Sequence, residues 1–185
     1  VKHHKIIAWQ MGGDHLCVQV TPVEADKSTQ LAVSSATDMQ VDYANGAAFT
    51  VVPQYLEEVS LNESQQNNIY TTYGNAIVNN LIQNGYAKTS NASNAEFTVG
   101  YGIALSKDLS DAKINTIFGV SPGLPSSADL DKGSFLIYVK DTAMQQIVWR
   151  GTVQGFAQQD LTPEERLEKT QSVVDSVLKQ FHKEK

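Results

Sequence analysis

The sequence predicts an α+β fold, a mainly antiparallel sheet with two long amphipathic helices packed on one face. Two segments carry apolar residues at helical spacing, and several shorter ones alternate apolar and polar residues as strands do. Their order is strand, strand, helix, strand, long connection, hairpin and helix. Because each helix has one apolar stripe, each must cover a flat apolar surface, and one face of a sheet provides it.

Alternation predicts the strands. They are residues 39–43, 49–52, 97–103, 135–140 and 147–153, with a further short strand at 16–20. Asn45-Gly46 closes the first of the five with a turn. The segments 135–140 and 147–153 predict a hairpin, and apolar residues on both sides of its first strand favour a central place in the sheet.

The first helix is predicted over residues 62–84. Ser60 and Glu63 match a capping box, and Gly85 provides a C-terminal stop. The apolar stripe of this helix contains Ile69, Tyr73, Ile77 and Leu81. Gly74 costs the helix about 1 kcal/mol relative to alanine, which a close approach of another chain segment would explain.

The second helix begins at the clearest signal in the sequence. Thr162 is placed as the N-cap, followed by Pro163 at the first helical position and Glu165 at the third. The apolar stripe contains Leu167, Val174, Val177, Leu178 and Phe181. His182 is interpreted as a cation that suits the negative end of the helix dipole.

The domain organisation is predicted to be simple. Residues 1–37 are mixed in character and are interpreted as an N-terminal arm or an appended strand. Residues 38–185 form a single α+β domain, a size at which a hydrophobic core needs no metal or disulfide. Residues 106–133 are a long connection with one short helical turn, and such connections are usually functional or mobile.

Charge excludes several classes of protein. The chain has 185 residues and a formal net charge of −6, and residues 31–106 contain six acidic residues against one basic residue, Lys88. A nucleic-acid binder needs a basic patch, so we expect no nucleic-acid partner. No apolar run of 18 residues is present, so no transmembrane segment is predicted.

The residues that usually carry chemistry do not form recognisable sites. His3, His4, His15 and Cys17 match no common zinc spacing, and Asp129 to Gly133 departs from a calcium loop. Motifs of serine hydrolases and zinc proteases are missing from the sequence. We therefore predict no catalytic, metal or cofactor-binding residue and no cofactor.

One local motif is distinctive, Trp149-Arg150-Gly151. Trp149 shares the parity of Ile147 and is expected under a helix, with Arg150 on the other side of the sheet. Arg150 either pairs with a neighbouring carboxylate or is presented to an anionic ligand on an open sheet face. The candidate contact residues for a ligand or partner are Arg150, Tyr138, Phe118 and Leu124.

The ordered motifs resemble a known family. Asp42-Tyr43, the helix end Asn84-Gly85-Tyr86, the strand Ala95 to Tyr101, the strand Phe135 to Asp141 and Ile147 to Gly151 before the last helix are together similar to the bacterial lipoprotein-like domain-of-unknown-function family number four-one-three-six. The resemblance covers about residues 38–182 and implies an exported, often lipid-anchored envelope protein without established enzymatic activity. Cys17 lacks the preceding small residue of a lipobox, so an anchor would lie upstream of Val1.

The sequence therefore favours a non-catalytic binding or structural domain of the cell envelope, in the periplasm or at the outer membrane, with an envelope protein or component as its partner. Two alternatives remain open. One is a small-molecule carrier with a pocket between sheet and helices, lined by Tyr70, Tyr73, Tyr101 and Trp149. The other is a carboxylate-dependent hydrolase.

Overall fold

A computed structural model describes residues 5–9, 16–20, 27–57 and 59–183. Strands β1 (Lys5–Trp9) and β2 (Leu16–Val20) pair antiparallel as a hairpin. The strand predicted at 16–20 is therefore confirmed.

The remaining elements form a six-stranded sheet and three α-helices, within the residues that the structure describes. In chain order they are β3 (Leu31–Thr37), β4 (Ala48–Pro53), α1 (Glu63–Gln83), β5 (Ala87–Lys88), β6 (Phe97–Leu105), α2 (Asp111–Ile117), β7 (Lys132–Asp141), β8 (Gln146–Phe156) and α3 (Pro163–Lys183). The strand order in the sheet is β3-β8-β7-β6-β4-β5. Residues 31–37 of the predicted arm form β3, which pairs with β8 at one edge of this sheet, and the division of the chain at residue 37 stays a prediction.

The α+β class is confirmed, but the sheet is mixed and not mainly antiparallel as predicted. Strands β3, β8, β7 and β6 pair antiparallel, whereas β4 pairs parallel with both β5 and β6. The reason is the position of α1 between β4 and the next strands. A helix of this length returns the chain to the end where β4 began, so the strands that follow run parallel to β4. Alternation of residues does not reveal strand direction.

Both long helices contribute to the main hydrophobic cluster, together with one face of the sheet, here termed the helix face. Two glycines permit close approach. Gly74 in α1 lies against Tyr101, whose hydroxyl would stand 2.7 Å from a methyl group at position 74 and donates a hydrogen bond to the Tyr70 carbonyl. A methyl group on Gly151 of β8 would collide with Val177 of α3.

The opposite side of the sheet, here termed the second face, is partly covered by residues 111–124, the covering segment. It consists of α2 and the irregular chain after it, and it forms hydrogen bonds to side chains of β8. The prediction of one short helical turn in the long connection is confirmed by α2, which begins at the N-cap Ser110. The covering segment occupies much of the face that the sequence predicts to be open.

Three local predictions are wrong. Residues 39–43 do not form a strand, because the backbone amides of Asp38 and Met39 both donate to the Val148 carbonyl and turn the chain away from the sheet edge. The N-cap of α1 is Asn62, which forms its capping box with Gln65. The parity of Ile147 and Trp149 is broken by a bulge at Val148, and Ile147 is exposed.

Among the described residues, none of the helices has the length and apolar character needed to cross a membrane.

Candidate functional site

A groove lies on the helix face, between α1, α3 and the sheet. Its volume is about 470 Å³, within the range of ligand pockets. The walls come from the first halves of the two helices, and the floor comes from β6, β7 and β8. Leu31 at the start of β3 and Leu61 before α1 lie at its edge.

The helical period explains the two walls. Ile69, Thr72 and Tyr73 of α1 share one helix side, and the corresponding residues of α3 are Arg166, Lys169, Thr170 and Val173. Farther along α3 the same side becomes the fully buried seam of Val174, Val177 and Leu178. One stripe of α3 thus closes on the sheet at one end and borders the groove at the other.

Two paired glycines form part of the floor of the groove. Gly133 of β7 and Gly155 of β8 are directly paired and both line the groove. A methyl group on Gly133 would find no atom nearer than 3.6 Å, whereas one on Gly155 would press on the Leu31 side chain. The floor is completed by Ile103, Phe135 and Val153. Space therefore remains where larger side chains would otherwise fill the layer between sheet and helices.

Two cations border this apolar space. The Lys169 ammonium donates to the Phe156 carbonyl at 2.7 Å, and burial lowers the pKa of Lys169. Arg166 lies one turn earlier on α3 and is exposed. No carboxylate among the described residues lies within salt-bridge distance of either. The acidic residue on the groove wall is Asp131.

The predicted aromatic pocket is largely core. Tyr73 does line the groove, and its ring stacks on Phe135 at 4.8 Å between centroids. Burial raises the pKa of Tyr73 to about 12, so its hydroxyl stays protonated at neutral pH. Tyr70, Tyr101 and Trp149 are buried away from the groove.

The four predicted contact residues lie on or near the second face. Arg150 binds Asp38 through two hydrogen bonds of 2.8 and 2.6 Å and also donates to the Phe118 carbonyl. Tyr138 is paired with Arg150 in the neighbouring strand and lies across Gly100. Leu124 is buried in the covering segment. The structure thus brings Arg150, Phe118 and Tyr138 together, and a role in partner contact stays a prediction.

Three alternate residues of β8 hold the covering segment. Arg150, Thr152 and Gln154 bind the Phe118 carbonyl, the Val120 carbonyl and the Leu124 amide, respectively. Gln154 is fully buried and also donates to Asp111 and Ser134. Their spacing of two residues places all three side chains on the second face.

Lys132 and Asp111 complete this network. The buried Lys132 ammonium donates to Asp111 at 2.9 Å and to the Leu124 carbonyl at 2.7 Å. Burial alone would raise the pKa of Asp111, but hydrogen bonds from Lys132 and Gln154 and the charge of Lys132 outweigh it and lower the pKa. The polar groups of the second face therefore satisfy one another and have a structural role.

Two further polar residues also serve the core. The buried Asp141 carboxylate accepts from the Tyr43 hydroxyl and from the Met144 amide, both at 2.8 Å. This joins two of the motifs on which the family resemblance depends. His182 lies 2.8 Å from the Asn80 amide oxygen, and burial lowers its pKa despite the charge of Asp175. His182 does lie in the last turn of α3, but its burial disfavours the charged form that the interpretation as a helix-end cation requires.

The prediction of no metal site concerns His3, His4, His15 and Cys17, and most of these residues lie outside the part of the chain that the structure describes. His3, His4 and His15 lie outside the described residues, and for Cys17 only the backbone of β2 is described. Within the described ranges, His, Cys, Asp and Glu side chains form no group of three or more that could hold a metal ion.

The sequence analysis included a pocket between sheet and helices as an alternative, but of its four predicted lining residues only Tyr73 lines the groove. Its signal is faint but present, since Arg166 and Lys169 lie on the helix side that continues as Thr170 and Val173. Cations placed on the inward side of an amphipathic helix indicate that this end of the helix is not packed on the sheet. The glycine pair of the floor is separated by 22 positions in the sequence, so only the strand register brings it together.

Comparison with known proteins identifies a family. The family model described as "Domain of unknown function (DUF4136)" matches residues 33–181. No curated protein matches the chain.

Several solved structures share the fold. A DUF4136 family protein from Bacteroides thetaiotaomicron has 12% sequence identity and a TM-score of 0.50, over 85% of this chain and 97% of that chain. A PelC dodecamer from Paraburkholderia phytofirmans has 12% identity and a TM-score of 0.50, over 80% and 95%. A PDZ domain protein from Parabacteroides distasonis has 11% identity and a TM-score of 0.51, over 82% and 36%. Such low identities show the fold alone.

Proposed function

Because the chain belongs to the DUF4136 family, whose domain has no assigned function, we propose a function from the geometry: a non-catalytic domain that binds a ligand with an apolar part in the groove between α1, α3 and the sheet. Neither the comparisons nor the described residues indicate catalysis. The carboxylates Asp108, Asp111 and Asp141 lie in separate places, each held by its own donors.

The single observation that carries this proposal is the empty apolar space of the groove. A floor that contains two paired glycines and walls of Ile69, Tyr73 and Val173 leave about 470 Å³ unfilled beside a densely packed seam. The groove opens to solvent, so water covers its apolar walls. A ligand that removes this apolar surface from water would gain the corresponding hydrophobic free energy.

The test uses a neutral apolar fluorescent probe, N-phenyl-1-naphthylamine, with the full chain. We expect saturable binding to the wild type and its loss in Gly133→Leu, which fills the floor. Ser126→Leu adds the same bulk at an exposed position of the long connection and serves as the matched control. Thermal unfolding verifies that Gly133→Leu is folded. Equal probe binding by wild type and folded Gly133→Leu would overturn the proposal.

We also propose that the domain acts in the cell envelope, in the periplasm or at the outer membrane, and that its partner is an envelope protein or component. The motifs shared with an exported, lipoprotein-like family support this, and a single cysteine is compatible with an oxidising compartment. Fractionation of cells that express the gene from its own start codon is the test. Recovery of the protein with the cytoplasmic fraction would contradict it.

A further inference from the structure

We propose, on the premise that the groove binds a ligand, that the ligand is an anionic amphiphile: a single alkyl chain with a carboxylate head, the chain on the glycine floor and the head at Arg166 and Lys169. The proposed function depends on the apolar space, whereas the charge of the ligand depends on Arg166 and Lys169. An experiment can therefore contradict the second and leave the first standing.

Neither cation of the groove wall has a carboxylate within salt-bridge distance among the described residues. Lys169 is half-buried, and the partner of its ammonium is a carbonyl oxygen of Phe156, which carries no formal charge. Burying a cation without a counter-charge is costly, and the lowered pKa of Lys169 has this cause. A carboxylate beside Lys169 would remove the cost and form charge-assisted hydrogen bonds.

The cations of the groove wall differ from the two paired cations of the second face. Lys132 has Asp111 at 2.9 Å, and Arg150 has Asp38 at 2.6 Å. In the described part of an acidic chain, carboxylates are thus supplied where a cation has a structural role. Arg166 and Lys169 are placed one turn apart on the groove side of α3 without one, which suits an anion from outside.

Charge and apolar surface follow one another along the groove side of α3. Arg166 and Lys169 occupy the first turns of α3, whereas Val173 lies farther along the same side, next to the buried seam. A head group at the cations would direct its chain over Gly133 and Phe135. Asp131 is the acidic residue on the wall, and it leaves the lining side chains with a formal charge of one positive unit.

The test compares dodecanoate, dodecanol and dodecylamine by isothermal titration, each below its micelle-forming concentration, with the full chain. We expect dodecanoate to bind about tenfold more tightly than dodecanol, as hydrogen bonds to charged groups allow, and dodecylamine to bind most weakly. Each methylene added to a shorter carboxylate should tighten binding about fourfold until the groove is full.

The variants locate the head group. Two variants remove the charges: Arg166→Gln, whose side chain makes no hydrogen bond in the described structure, and the double variant with Lys169→Gln. Both should lower the affinity for dodecanoate to that for dodecanol and leave the affinity for dodecanol unchanged. Lys179→Gln, on the exposed side of the same helix, is the control and should have no effect. Arg166→Glu combined with Lys169→Gln should favour dodecylamine.

Equal binding of dodecanoate and dodecanol by the wild type would overturn this inference and leave the groove as a neutral apolar site. A dodecanoate preference that persists in the folded double variant would overturn it as well, since the head would lie elsewhere. Failure of all three probes to bind would overturn the proposed function too.

Discussion

On the second face of the sheet, Lys132 and Arg150 each meet a carboxylate, whereas on the helix face Arg166 and Lys169 meet none among the described residues. Both of these pairs of cations lie beside apolar surface. On the second face the polar groups hold the covering segment in place, and most of their hydrogen bonds are made to that segment. On the helix face the charges of Arg166 and Lys169 remain available at the border of the groove, so an anionic ligand can pair with them.

A second comparison, within the helix face, points the same way. At one end, Trp149 and Phe181 are in ring contact at 5.4 Å, and α3 approaches β8 so closely that only glycine fits at position 151. At the other end, a methyl group on Gly133 would meet the Ala104 carbonyl at 3.6 Å, an ordinary contact distance. The same two elements of structure, a strand glycine and the side of α3, produce a closed seam and an open groove.

The largest expected effect comes from adding bulk at the two glycines. Gly151→Val should lower the free energy of unfolding by about 3 kcal/mol, because the new methyl groups collide with Val177 and with the Trp149 ring, 2.7 Å from the added Cβ. Gly133→Val should change it by no more than about 0.5 kcal/mol or increase it, since a β-branched residue suits a strand with free space. Urea denaturation measures both. Equal losses would show that the groove is not open.

The next effect concerns the covering segment. Gln154→Leu should cost about 2 kcal/mol, because it leaves the Leu124 amide without its acceptor and removes donors to Asp111 and Ser134. Hydrogen exchange of residues 118–124 should accelerate at the same time. Thr152→Val, which removes one bond to the Val120 carbonyl, is the milder companion with a cost of about 1 kcal/mol. Unchanged exchange in Gln154→Leu would show that these bonds do not hold the segment.

The smallest effect is a pH dependence from His182. Burial lowers the pKa of His182 in the folded state below its ordinary value of 6.5, so the unfolded chain binds a proton first as the pH falls. Stability should therefore decrease as the pH drops below 6.5, toward the lower pKa of the folded state. In His182→Gln this part of the decrease should vanish, as measured by urea denaturation across that range. An identical pH profile in the two proteins would exclude the mechanism.

The sequence was sufficient for much of the fold. Helical spacing and caps are local, so α1, α3 and the β7–β8 hairpin could be predicted within a few residues. The pairing of β4 with β6 could not, because strand direction depends on where α1 returns the chain. The strand predicted at 39–43 failed because Val41 and Tyr43 are partly or fully buried without a neighbouring strand, and a sequence pattern does not show whether such a neighbour exists.

The groove was harder to predict for the same reason. Its floor depends on the register that pairs Gly133 with Gly155, and its charge depends on which carboxylates come near Arg166 and Lys169 in space. Arg150, by contrast, could be assigned correctly to the side of the sheet opposite Trp149 from the alternation of one strand. The sides of one strand could be predicted here, whereas a groove built by two helices and three strands could not.

A nitrogen-15 NMR titration of the full chain with dodecanoate shows whether the groove is where the ligand binds. We expect amide shift changes concentrated at the groove, in residues 69–73, 103–105, 133–135, 153–157 and 166–173, with little change in residues 118–124. Shift changes concentrated in residues 118–124 and around Arg150, or no changes at all, would contradict it.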